Sequence, residues 1–320
     1  MKMLNILKPD IRKKQSTIRR LKNDAPLFMM LLPGFILTFL FCYLPMFGII
    51  IAFKKYTPAL GIWSSPWVGL DNFQFLIRSS DTWTVFRNTL AYNLTFIFLG
   101  QTLNVALAVA LTQIRNKRAS KVYQTVMIMP YFLSYVIVSY IVYALLCVRD
   151  GFFNTTLLPM LGLDPVNWYI SPKPWPFILT FVNFWKATGY GSIVYMAAIA
   201  GIDTGLYEAA EIDGANRFKQ ILYITLPSLK SIIIIQVILN IGHIFNSDFG
   251  LFYQVPMNSG ALYDTTNVIS TFVYRTLGEG GITGVGMSAA ASFFQSIVGF
   301  VLVVVSNAIV RKIDNENALF

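Results

Sequence analysis

Apolar runs of about 20 residues, the length a helix needs to cross a bilayer core, recur six times along this chain. They cover residues 27–53, 89–112, 122–147, 175–202, 229–245 and 286–310, each bounded by charged or turn-forming residues. The fifth is short and studded with polar side chains. The expectation is an all-α integral membrane protein with six transmembrane helices. No repeat with a period of about 20 to 50 residues is visible, and no linker divides the chain, so residues 1–320 read as one domain.

Composition strengthens that picture. Hydrophobic residues make up 55% of the 320 and charged residues 12%, with a mean hydropathy of +0.59, far too apolar for a water-soluble domain. The formal charge of +10 raises the question of nucleic acid, but a nucleic-acid surface gathers its cations into an accessible patch. Here they fall in short clusters between apolar runs, the pattern produced by the positive-inside rule and an anionic cytoplasmic leaflet. One side of the spans carries 17 Lys and Arg and the other 7, with Lys186 inside a span. Both termini are therefore expected in the cytoplasm, with residues 1–26 as a basic tail. The apolar stretch after that tail is too long for the core of a signal peptide, so the tail is expected to stay as a topological anchor. The external connections are longer and turn-rich, as at 171–176 and 278–281. Cys42 and Cys147 both sit in apolar runs, so no disulfide framework is expected.

The cytoplasmic connection at 203–228 has more structure than a link requires. Asp203 or Thr204 suits a helix N-terminus, Glu208 and Glu211 favour the first turns, and Gly214 suits a left-handed exit. A helix, a turn and a second helix follow from this pattern. Ala209 and Ala210 give the first helix a small-residue face that another protein could approach closely, and Pro227 falls at the start of span five, where a missing N–H is tolerated. The plainer alternative is a solvated amphipathic linker.

Glu208-Ala209-Ala210, Gly214, and Ile224-x-Leu226-Pro227 together resemble the EAA loop of ABC importer permeases, without a gap. The resemblance covers nearly the whole chain. It narrows to the sugar branch through Trp67-Val-Gly-Leu-Asp-Asn-Phe73 with Arg87-Asn-Thr-Leu90, which look like maltose-type permeases. Phe184–Tyr195 and Asp248–Pro256 look like the subgroup serving oligo- and polysaccharide importers. Asn267 and Ser270 stand where that pattern would carry acidic residues. The resemblance implies a type I importer permease fold with a cytoplasmic coupling helix, and assigns Glu208, Ala209, Ala210, Gly214, Leu226 and Pro227 to docking on an ATPase subunit. It also implies a second homologous permease subunit, two ATPase subunits that bind ATP and magnesium, and an extracytoplasmic solute-binding protein. The substrate would be an oligosaccharide and the location the cell membrane of a prokaryote.

Polar side chains within spans are costly unless they face another helix or a wet cavity. Gln236, Asn240 and His243 fall at i, i+4 and i+7 on one face, continued by Asn246 or Ser247. Asn183, Lys186 and Tyr190, with Trp185 adjacent, have comparable spacing in span four. Amides and flat rings suit the hydroxyls and apolar faces of a sugar. Equally, such residues serve as interhelical glue, the favoured reading for His243. An architectural or partner contact is favoured for Lys186. No catalytic or metal site is expected: the chain has one histidine, no phosphate-binding glycine loop, and none of the common hydrolase motifs. No cofactor is expected on this chain, and energy must come from a partner. Rival functions are a gradient-driven carrier, for which the spans lack Asp and Glu, and an importer permease for a non-sugar solute.

Overall fold

The computed structural model describes residues 24–78, 81–279 and 281–313. Within a bilayer every backbone polar group needs a partner inside the protein, and helices supply one locally. Among the described residues the only β pairing is an isolated bridge between Lys54 and Trp67. The chain divides after Ile50 into two compact units.

From the first unit, α1 (Ala25–Thr38) runs through a π-helical turn at Phe39–Tyr43 into the tighter 3₁₀ winding of Leu44–Phe53, whose last three residues belong to the second. Pro33 removes one helical donor inside α1, and Thr38 Oγ1 donates to the Gly34 carbonyl at 2.9 Å. No residue of α1 is buried, and Leu27, Met29, Met30 and Phe35 are all exposed. Such a surface suits a helix whose solvent is lipid. The basic tail expected at 1–26 lies, up to residue 23, outside the described residues.

The second unit holds α2 (Thr82–Thr112), α3 (Lys117–Ile128), α4 (Tyr135–Leu146), α5 (Trp175–Ala200), α6 (Thr204–Ile212), α7 (Arg217–Gly242), α8 (Ile269–Glu279) and α9 (Gly281–Ile313). Helices α2 and α5 lie side by side and run the same way. Tyr92 and Thr95 meet Pro176 and Thr180 at one end, and Val105 and Val109 meet Tyr195 and Ile199 at the other. The start of α2 is pinned by Asn88, whose Nδ2 donates to the carbonyls of Asp264 and Asn267 at 2.9 and 3.1 Å. Thr89 Oγ1 accepts from the N–H of Ile269 at 3.0 Å. Asn267, where an acidic residue was expected, accepts from Arg275 and Thr271.

Four helices among the described residues are long and apolar enough to cross a membrane: Ala25–Phe53, Thr82–Thr112, Arg217–Gly242 and Thr283–Lys312. A fifth crossing results if the bent pair Lys117–Phe132 and Tyr135–Leu146 counts as one. The expected span at 122–147 is therefore broken, with a 98° bend. Its cause is local. Leu133 and Ser134 are extended, and Ser134 Oγ accepts from the Ile137 N–H, starting a new helix. Helix α5 is 26 residues long, but Asn183, Lys186, Thr188 and Ser192 keep it less apolar than those four.

Span five also differs from expectation. It starts at Arg217 rather than 229, while Pro227 keeps its expected place in the first turn of the α-wound stretch Leu226–Gly242. The turn before it, Ile221–Thr225, is π-wound: the Leu226 N–H reaches the Ile221 carbonyl, and Ser228 Oγ donates to the Ile224 carbonyl at 2.7 Å. The backbone is thereby paired around the missing donor.

Candidate functional site

Two features stand out in the second unit: the loop between α5 and α7, and a polar cavity between α2, α5 and the end of α7. In the loop, Asp203 caps α6 by accepting from the Gly205 N–H at 2.9 Å. The helix ends in a Schellman arrangement. Gly214 adopts φ +76°, its N–H meets the Glu211 carbonyl at 3.1 Å, and the Ala215 N–H meets the Ala210 carbonyl at 2.8 Å. Asn216 then caps the next helix through the Lys219 N–H at 2.9 Å. The expected helix, turn and second helix are all present.

Glu208, Ala209, Glu211 and Gly214 are exposed, and Ala210 is half-buried. Ile212 of α6 is 87% exposed, and Phe218 and Tyr223 near the start of α7 are each 72% exposed. A surface of this kind is complementary to a protein partner. On the inner side, the Tyr207 hydroxyl lies 2.9 Å from Thr225 Oγ1, which ties α6 to the π-wound turn of α7. Leu226 is half-buried there and Pro227 exposed.

The cavity has a volume of about 310 Å³, within the range of small-molecule sites. Asn183, Asn240, His243 and Asn246 of the sequence-derived set line it. Asn93, Gln101, Asn104 and Asp248 line it as well. Tyr195 donates to Gln101 Oε1 and so fixes that amide, whereas no hydrogen bond engages the side chains of Asn104, Asn183, Asn240 or Asn246 among the described residues. These amides offer unused donors and acceptors to a solute. His243 follows the last turn of α7, with Nδ1 2.9 Å from its own helix's Leu239 carbonyl. Asp248 Oδ1 accepts from the N–H groups of Gly250 and Leu251 at 2.8 and 3.3 Å.

The other four candidates do not line this cavity. Lys186 is buried, and its Nζ donates to the Tyr131 carbonyl at 2.6 Å and the Pro130 carbonyl at 3.5 Å, close to the rings of Tyr131 and Tyr135. It therefore pairs the carbonyls freed where the bent span breaks, a cation at a helix C-terminus. Tyr190 stacks on Tyr131 with centroids 4.0 Å apart, Trp185 is exposed, and Gln236 is half-buried. The cavity side of α5 is set by Asn183, Phe184, Ala187 and Thr188. Lys186 is rotated by about 60° from Asn183 at 3.6 residues per turn, which carries it to the flank.

Asn93, Gln101, Asn104 and Asp248 did not emerge from the sequence. The signal existed for span two. Asn93 and Asn104 lie three turns apart on one helical face with Gly100 between them, the same kind of stripe that marks span five. Asp248 gave no such signal, because it follows the helix end and reaches the cavity through the fold.

Residues 103–315 match the family described as binding-protein-dependent transport system inner membrane component. Protein LplB of Bacillus subtilis (strain 168) is 35% identical over 311 residues, covering 94% of this chain and 93% of that protein. The polygalacturonan/rhamnogalacturonan transport system permease protein YteP of the same organism is 34% identical over 308 residues, covering 95% and 93%. Among solved structures, a chain of a bacterial ABC transporter that imports the acidic polysaccharide alginate superposes with a TM-score of 0.83 at 33% identity. The match covers 94% of this chain and all of that one.

Proposed function

Since this chain belongs to the family of binding-protein-dependent transport system inner membrane components, we propose that it is the permease subunit of an ABC importer and translocates an oligosaccharide. The likeness to LplB, YteP and the alginate importer supports this reading. A related structure holds that importer with a pentasaccharide-bound periplasmic protein, which supports delivery of the solute by an extracytoplasmic binding protein. The chain lacks a phosphate-binding glycine loop. ATP and magnesium would be bound by two separate ATPase subunits, and a second homologous permease would complete the pathway.

One observation carries the reading. The exposed loop ending at Gly214 follows directly from α5, which lines the cavity, and is bonded to α7, which ends at it. A push on α6 therefore acts on both walls. Closure of the ATPases would carry Glu208–Gly214 inward and rock the helices as rigid bodies, opening the cavity to the binding protein. The cavity's amides, with the partner permease, would exchange hydrogen bonds with sugar hydroxyls as the solute passes.

The test is ATP-dependent oligosaccharide uptake by the reconstituted complex, comparing wild type with Gly214→Asp and Glu208→Lys at matched membrane levels. Loss of uptake together with ATPase association is the expected result. Uptake that persists with the ATPase subunits removed identifies a gradient-driven carrier and overturns the proposal.

A further inference from the structure

A second recess, of about 280 Å³, lies between α2 and α5 at the end away from the coupling loop. Arg87 stands in its wall with Thr95, Thr180 and Thr265. The guanidinium bonds only neutral acceptors: Nε and Nη2 donate to Asn88 Oδ1 at 3.3 and 3.1 Å, and Nη2 to the Asp264 carbonyl at 2.9 Å. Nη1 takes part in none of these bonds, and no carboxylate pairs with Arg87 among the described residues. Hydroxyls share its recess.

Depth identifies what meets it. Helix α2 has 31 residues, about 46 Å at a rise of about 1.5 Å each, so it overhangs a hydrocarbon core of about 30 Å by about 8 Å at each end. Arg87 lies about 8 Å along from Thr82, at the boundary between headgroups and hydrocarbon. Trp83, 75% exposed in the first turn, fits the interfacial aromatic belt at that level. Beside the recess the surface is apolar. Phe98 is 66% exposed on the same face of α2 as Ala91 and Thr95, and Phe177 and Phe181 are 78% and 70% exposed beside Pro176 and Thr180 on α5.

We propose that the Arg87 recess is a binding site for an anionic phospholipid of the leaflet opposite the coupling loop. The phosphate meets the guanidinium, the headgroup hydroxyls meet Thr180 and Thr265, and the acyl chains lie over Phe98, Phe177 and Phe181. The site rests on the membrane-spanning reading alone and is independent of which solute is carried.

The test uses the full transport complex in nanodiscs of phosphatidylcholine mixed with phosphatidylglycerol, with retained lipid counted by native mass spectrometry. Wild type is expected to retain phosphatidylglycerol with a preference of about fivefold, the discrimination of one interfacial cation worth about 1 kcal/mol. Arg87→Gln removes the preference and Arg87→Lys keeps most of it. Arg87 also holds the Asp264 carbonyl, so Thr180→Phe provides a second probe that fills the recess and leaves those bonds in place. It is expected to lower total retention without changing thermal stability. Equal retention of the two lipids, retention unchanged in both Arg87→Gln and Thr180→Phe, or no retained lipid because the second permease covers the recess would each overturn the proposal.

Discussion

The loop between α5 and α7 owes its shape to bonds that close within it, from the Asp203 cap to the paired carbonyls at Gly214. The cavity has no such local cause. Its lining comes from α2, α5, the end of α7 and the turn after it, and those parts meet only because α5 touches its neighbours closely. A Cβ on Gly189 would lie 1.9 Å from the Met127 carbonyl oxygen, and one on Gly191 within 2.5 Å of Asn104. The contrast assigns each region its vulnerability. The loop is free to change and lose its partner while the membrane core stands, whereas a change in the helix contacts removes cavity and core together.

The largest expected effect follows from that close contact. Gly189→Leu forces the backbones of α3 and α5 apart, an overpacking cost of about 3 kcal/mol or more, and little folded permease is expected by size-exclusion chromatography. Recovery of wild-type amounts with an unchanged melting temperature would show that this contact yields easily and that the contrast is overdrawn. Asn88→Ala comes next. It removes the two bonds donated to the Asp264 and Asn267 carbonyls and the oxygen that accepts from Arg87, a loss of about 2 kcal/mol. A lower melting temperature is expected, with the arrangement of 264–269 loosened in hydrogen exchange. Protection there equal to wild type would mean that other contacts hold this segment.

Gly214→Ala crosses to the other region. No heavy atom lies within 4 Å of the added Cβ, but φ is +76°, a left-handed conformation that costs an L-residue about 1 to 2 kcal/mol. The end of α6 is expected to unwind while the melting temperature of the core stays near wild type and ATPase association falls several-fold. A core destabilised as much as by Asn88→Ala would break the contrast, since the loop would then hold the helices together.

Legibility in the sequence follows the same division. Asp203 and Gly214 announced a capped helix and its exit because capping and left-handed turns are decided by neighbouring residues, whereas Glu208 and Glu211, expected in the first turns, fall in the middle and last turn of α6. Asn183, Asn240, His243 and Asn246 were found because a polar stripe in an apolar helix is visible at its period. The same test applied to α2 would have shown Asn93 and Asn104. Lys186 could not be placed this way. Its partners are carbonyls freed 55 and 56 residues earlier by a break in another helix, and no helical period encodes that. The start of span five is hidden for a related reason: Pro227 does mark the first turn of the α-wound stretch from Leu226, but the π-wound turn before it lets α7 begin at Arg217.

The smallest effect separates the loop's shape from its surface. Asp203 accepts the Gly205 N–H with its carboxylate, and it precedes the residues that would meet an ATPase. Replacing an N-cap Asp by Ala costs about 1 kcal/mol of helix stability, and Asn is nearly as good a cap. Asp203→Ala is therefore expected to lower uptake by less than Gly214→Ala, with Asp203→Asn restoring most of it. If Asn fails where Asp works, the charge and not the cap matters, and Asp203 joins Glu208 as part of the docking surface. If Ala is harmless, the Schellman end alone holds α6, and the geometry of the loop rests on Gly214.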